Sequence, residues 1–260
     1  ALVAREAAPA AGVEDLSGER VAGKRVKTIL PVRGMRKAIA EHMVRSLAVS
    51  AQLTYSAEID MTEMIRLRKA LLENEAEIGV RITYTDLFVY ALSRAVRYVP
   101  IANSSLIGDE IILWEDVNVG VAVALDFGGY DTGLIVPVVR NADTKPLGEI
   151  ARTVRDLTSR AREGKLAPAD VGGGTITLSN IGQFVKGWTV STPILNQPES
   201  VIVQPGGIFD KPVARDGQVV VRPVMTLSIT FDHRVLDGLP IARFSTKLQE
   251  LLENPALLHL

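Results

Sequence analysis

Three histidines and no cysteine are what this 260-residue chain offers for imidazole, thiol or soft-metal chemistry. Without cysteine there is no disulfide and no thiolate nucleophile. Histidines scattered at 42, 233 and 259 do not make a zinc centre, so no metal site is expected. His233 has the most chemical setting. It stands in "FDHRVLDG", directly after the apolar run "TLSITF", so it sits where a buried strand gives way to a loop. Such a position combines a rigid base with access to a cleft. Asp237, four residues on, could steady an imidazole, or could cap a helix that begins around Gly238 and Pro240. His42 lies in an amphipathic helical pattern and His259 is next to last, so neither is assigned chemistry. The second candidate is "ITLSNIG", a strand ending at Ser179 and followed by Asn180. On local pattern alone, a turn with routine backbone bonding explains that stretch better than catalysis does. Ser179, His233 and Asp237 could be assembled into a hydrolase triad. The Gly-x-Ser-x-Gly elbow is missing, however, and the acid follows the histidine at short spacing.

The elements that must hold these residues are legible from periodicity. Ile39, Met43 and Leu47 repeat at helical spacing along "MRKAIAEHMVRSL", and "LTYSAEID" alternates as a strand. Asp60 and Glu63 suggest a capping box opening one helix, "MTEMIRLRKALLENEAEI". The helix "TDLFVYALSRAVRYV" should stop at Pro100. Three strand-like runs follow, "EIILWE", "VNVGVAVAL" and "GLIVPVV", and then a helix from Pro146 to Gly164. The last third reads as the strands "GTITLSN", "ESVIVQP" and "VVVRPVMTLSITF", then the helix "IARFSTKLQELLEN". Strands and helices mix without strict alternation, which predicts an α/β or α+β mixed sheet covered by helices. One domain is expected over 26–260, with the Ala-rich residues 1–25 as a flexible linker or arm.

Several functions are disfavoured at this level. The net charge of -1 recommends neither nucleic acid nor an anionic membrane as partner. No apolar run approaches the roughly 20 residues a spanning helix needs, and no secretory leader is visible. The absence of cysteine fits a cytoplasmic protein. "VGGGT" leads into a strand instead of opening a helix, so it is not a dinucleotide fingerprint. "DFGG" and "HRVLD" echo kinase motifs but come without a Gly-rich loop and in the wrong order.

"DHRVLDG" resembles the His-Arg-x-x-Asp-Gly signature of the dihydrolipoamide acyltransferases, the catalytic cores of 2-oxo acid dehydrogenase complexes. "RGMRKAIAEHMVRS", "EIDMTEM", "GLIVPVVRNAD", "GTITLSNIG" and "TPILNQPES" are similar to the same family, in the same order. The resemblance implies a two-layer sandwich like that of chloramphenicol acetyltransferase, assembled as trimers. It implies acyl transfer between a dihydrolipoyl thiol and coenzyme A, with the lipoyl group carried on a separate domain and no metal. His233 would be the general base and Ser179 the oxyanion donor, contributed by adjacent subunits. Asp237 would brace the loop through an ion pair with Arg36, with Asn180 and Gly238 as supporting positions. Lipoyl domains and the 2-oxo acid dehydrogenase and dihydrolipoamide dehydrogenase subunits would be partners of a cubic or dodecahedral core. Such a complex would sit in the cytoplasm, or in the mitochondrial matrix of a eukaryote. The chain departs from the family where "VIVQPGG" replaces a usual "AILG", in the loop "QFVKGWTVS", and in lacking a Pro-His within "SLAVSAQLTYS". Those departures leave the acyl group open. A catalytically silent structural scaffold is the alternative, and the presence of both His233 and Ser179 favours the enzyme.

Overall fold

The structure, a computed structural model, describes residues 20–187 and 189–259. Most of the expected linker, and Trp188 in the variable loop, lie outside that range. Residues Arg20–Val21 (β1) and Lys24–Arg25 (β2) pair as a short hairpin, and α1 (Gly34–Val49) leads into β3 (Gln52–Asp60). Then come α2 (Thr62–Glu73), α3 (Glu75–Ile78), α4 (Tyr84–Tyr98), β4 (Ser104–Ile107) and β5 (Glu110–Leu113). The middle comprises β6 (Val119–Val121), β7 (Val123–Gly128), β8 (Asp131–Ile135), β9 (Val138–Val139), α5 (Leu147–Arg162) and α6 (Pro168–Val171). The last third is β10 (Ile176–Leu178), β11 (Val201–Arg215), β12 (Gln218–Asp232) and α7 (Gly238–Glu253).

Six strands form one mixed sheet in the order β3-β12-β11-β10-β6-β9. β10 runs parallel to β11 and β6, while β12 is antiparallel to both β11 and β3. Alternation along β12 explains its sequence. Met225, Leu227, Ile229 and Phe231 join the main apolar cluster with Phe244 and Leu248 of α7 and Leu87 and Leu92 of α4. Thr226, Ser228, Thr230 and Asp232 face the other way yet are also buried. The stretch 192–198 runs beside the outer end of that layer. There Leu195 N donates to Gln52 Oε1 at 3.1 Å and Leu195 O accepts from Ser46 Oγ at 2.7 Å.

Several expected boundaries need correction. The helix expected over 61–78 breaks at Asn74 into α2 and α3. The Asp60–Glu63 box does not close. Asp60 Oδ1 does hold the first turn, accepting from Thr62 N and Oγ1, but Glu63 turns to Arg66 instead. The capping box is at Thr83 and Asp86, opening α4, where Thr83 N donates to the carboxylate at 2.7 Å. "VNVGVAVAL" splits at Ala122 and "GLIVPVV" at Val136–Pro137, so four short strands stand where two were expected. β11 does not end near Pro205. It bulges at Gly206–Gly207 and continues to Arg215 as a two-stranded arm with β12.

Candidate active site

His233 follows the last residue of β12. Its backbone N–H donates to Ala51 O at 2.9 Å, which ties the residue to the start of β3 while its side chain is exposed. Its ring lies 5.8 Å from that of Phe231, so an immobile aromatic forms one wall beside it. The residue that organises the loop is Asp232. Its buried carboxylate accepts from Ala51 N at 3.3 Å, Arg234 N at 3.1 Å and Arg234 Nε at 3.0 Å, and from Arg234 Nη2 at 2.6 Å. Burial pushes the Asp232 carboxyl up, but the hydrogen bonds and charge of Arg234 outweigh it and hold the group below its ordinary range. Sequence reading passed over Asp232 because its neighbour drew the attention. Its phase puts it on one face with Thr230 and Ser228, a polar pattern that reads as solvent-facing; the structure buries that face, so the carboxylate has to be partnered.

Asp237 is the N-cap of α7, and its Oδ1 accepts from Leu239 N at 3.3 Å. Gly238 is the first helical residue, with open space where a Cβ would stand, so nothing within one chain demands glycine there. Arg36 does not reach Asp237 in this chain. Its Nη2 donates to Tyr130 O at 3.3 Å and Thr132 O at 3.1 Å, in the β7–β8 hairpin, because α1 starts against that hairpin. Asp237 thus braces its loop by capping α7, and no ion pair to Arg36 is found among the described residues.

Ser179 continues β10, donating its N–H to Val203 O at 2.8 Å, and is half-buried. Asn180 fastens the turn beyond it: Nδ2 donates to Thr85 Oγ1 at 2.9 Å, and Oδ1 accepts from Gly182 N at 2.9 Å. Ser179 and His233 are not brought together. β10 and β12 point in opposite directions through β11, with Leu178 opposite Val203 and Val201 opposite Phe231. Counting about five residues along the strands and two strands across separates them by on the order of 20 Å. A Ser179–His233–Asp237 triad therefore cannot form inside one chain.

The mouth of the Ser179 end is shaped by two of the departures, and they touch. A Cβ on Gly182 would lie 2.4 Å from Gly206 O, and one on Gly207 would lie 2.7 Å from Val185 O. Ile181 N donates to Pro205 O at 3.1 Å. The loop after Ser179 is thus seated on the bulge of β11. No group of three metal-ligating side chains occurs among the described residues.

Residues 24–260 match the family model described as 2-oxoacid dehydrogenases acyltransferase (catalytic domain). The chain belongs to that family. The acetyltransferase component of the pyruvate dehydrogenase complex of Bacillus subtilis is 38% identical over 227 residues, covering 86% of this chain and 50% of that protein. The succinyltransferase component of the 2-oxoglutarate dehydrogenase complex of Rickettsia bellii is 37% identical over 246 residues, 94% of this chain and 60% of that one. This acyltransferase domain thus spans about half to three-fifths of those relatives. Among solved structures, the cubic core of a pyruvate dehydrogenase complex is 30% identical with a TM-score of 0.83, covering 97% of this chain and all of that one. The dihydrolipoamide acetyltransferase of Azotobacter vinelandii is 31% identical with a TM-score of 0.82, covering 89% and 93%. Its catalytic mechanism was investigated through a serine, a histidine and an asparagine. Chloramphenicol acetyltransferase, at 18% identity and a TM-score of 0.50, shares the fold, as expected for this acyltransferase family.

Proposed function

We propose that this domain transfers an acyl group between a dihydrolipoyl thiol and coenzyme A, in a site shared by neighbouring copies of the chain. The observation that carries the reading is the separation of Ser179 from His233, on the order of 20 Å along and across one sheet. Two residues suited to one reaction, held at opposite ends of a rigid sheet, make a site only where two copies meet. The Azotobacter protein's serine, histidine and asparagine support the choice, since the asparagine studied there lies four residues after the histidine, as Asp237 does here.

The chemistry needs a base and an oxyanion donor. A thiol of pKa near ~8.5 gives its proton to a neutral imidazole during attack near neutrality. His233 accepts the coenzyme A thiol proton as the sulfur attacks the acyl thioester carbonyl. The tetrahedral oxyanion takes a hydrogen bond from Ser179 of a neighbouring copy. Collapse breaks the carbon–sulfur bond to the dihydrolipoyl group, and the imidazolium returns the proton to that leaving sulfur. Asp237 keeps α7 and the loop in place by capping, Asn180 fixes the turn after Ser179, and Gly238 opens α7. Coenzyme A and a lipoyl domain are substrates here. The dehydrogenase and dihydrolipoamide dehydrogenase subunits are the partners, in the bacterial cytoplasm.

The test is complementation. His233→Ala and Ser179→Ala variants are inactive alone in transfer from acetyl- or succinyl-dihydrolipoamide to coenzyme A. Denatured together and refolded at equal concentrations, they regain about a quarter of wild-type activity, because one random interface in four pairs an intact histidine with an intact serine. No recovery, with normal assembly, rejects the shared site.

A further inference from the structure

Glu199 is a buried carboxyl that the transfer reaction does not use. It is 2% exposed, and no lysine, arginine or histidine forms an ion pair with it among the described residues. Its oxygens have two partners: Thr177 Oγ1 lies 2.5 Å from Oε2, and Asn196 Nδ2 donates to Oε1 at 3.0 Å. Gly174 leaves room for it, since a Cβ there would stand 2.7 Å from Oε1. The carboxyl sits beneath the active strand. Thr177 lies on β10 and precedes Ser179, just past the strand's end, by two residues or about 7 Å of extended chain. Asn196 belongs to the stretch 192–198 and in turn meets His42 Nε2 at 3.2 Å. On the other side, Ser200 O accepts from Asp232 N at 2.9 Å, so Glu199 adjoins the residue that fixes the base loop.

An ionised carboxylate in this position would be desolvated with only two neutral donors, which strongly disfavours the charge. A proton removes it. We propose that Glu199 works as a neutral carboxylic acid that positions Ser179, clamping the end of β10 to the stretch 192–198, and that ionising it releases the clamp. This inference rests on the acyl-transfer reading for the role of Ser179. Burial pushes the Glu199 carboxyl up to about 8, with Thr177 and Asn196 pulling it down by less. The charged or titratable groups near the cage are few. His42 reaches it only through Asn196, and Arg140, beside Gly173, is turned to Ala169 O and Gly172 O at 2.7 Å each. β10 contributes Thr177, and the bridge to Ser105 is backbone only.

Three measurements on the assembled protein test it. Infrared difference spectra between wild type and Glu199→Gln at pH 7 should contain a carboxylic-acid carbonyl band that the variant lacks; a carboxylate band in its place overturns the neutral state. The protection factors of the Ser179 and Asn180 amides, taken against the intrinsic exchange rate at each pH, should drop as wild type passes pH 8 and stay constant in Glu199→Gln; identical protection profiles overturn the clamp. The turnover of wild type, divided by that of the variant, should fall across the same range with KM unchanged. Glu199→Ala, which removes the clamp at every pH, should show fast exchange even at pH 7. If wild type transfers no acyl group at all, the functional reading fails, while the infrared and exchange results still decide the state and the clamp.

Discussion

At the scale of single residues, the site depends on how firmly two side chains are held. His233→Ala should lower turnover by about 10²–10⁴ while leaving assembly intact. Ser179→Ala should cost about 10²–10³ in turnover with little change in coenzyme A affinity, because an oxyanion forms only after binding. A change confined to affinity would remove Ser179 from the donor role. Asp232→Asn is the test of the loop itself. It keeps an acceptor for Ala51 N but loses the ionic grip on Arg234, so the histidine should drift and turnover drop by about 10- to 100-fold with KM for both thiols unchanged. The same variant should alter acid stability. Because the folded-state pKa of Asp232 is lowered from 3.8, its contribution is present above that value and lost as pH falls below it. Melting temperatures from pH 6 down to pH 3 should fall more steeply for wild type than for Asp232→Asn; parallel curves would show that the carboxylate contributes nothing.

Among the elements, the β11 bulge and the loop after Ser179 behave as one unit. The departures "VIVQPGG" and "QFVKGWTVS" are separate stretches of sequence, yet Gly207 leaves under 3 Å between a would-be Cβ and Val185 O. Neither backbone can move far without the other. Gly207→Ala should therefore cost about 1–3 kcal/mol by chemical denaturation and push the loop away from Ser179. Its effect on transfer should differ between acetyl and succinyl donors. Equal effects on both donors would separate this loop from acyl choice. α1 teaches a different lesson. Of the apolar positions at helical spacing, Ile39 and Met43 are half-buried on the side of the buried Ser46, whereas Leu47 is 55% exposed and Val44 70%. Part of the apolar surface of the helix, at Val44 and Leu47, is therefore left uncovered by its own chain.

For the whole molecule, that exposed surface and the divided site point the same way. Leu53 and Tyr55 on the outer strand β3 are exposed, as are Val44 and Leu47 of α1, so apolar surface is left uncovered on both elements. Trimers or larger closed cores would cover it. Sedimentation or light scattering should give a mass of at least three chains of 28.1 kDa, and a 24- or 60-chain particle would distinguish a cube from a dodecahedron. A monomer retaining full transfer activity would contradict the shared site.

Much of this was legible from the chain alone. Helical and alternating periodicities place the main elements because burial on one face obliges apolar residues to recur at 3.6 or 2 residues. The ordered motifs around His233 and Ser179 identify the family. What periodicity cannot encode is which way strands run relative to one another, since parallel and antiparallel neighbours can alternate identically. Only the pairing of β10, β11 and β12 puts Ser179 and His233 at opposite ends of one sheet. Only the packed structure shows Arg36 engaged by the β7–β8 hairpin, Asp232 as the carboxylate that grips Arg234 beside His233, and Glu199 held by Thr177 of β10. Those are long-range contacts, and their partners are chosen by topology, which local sequence does not specify.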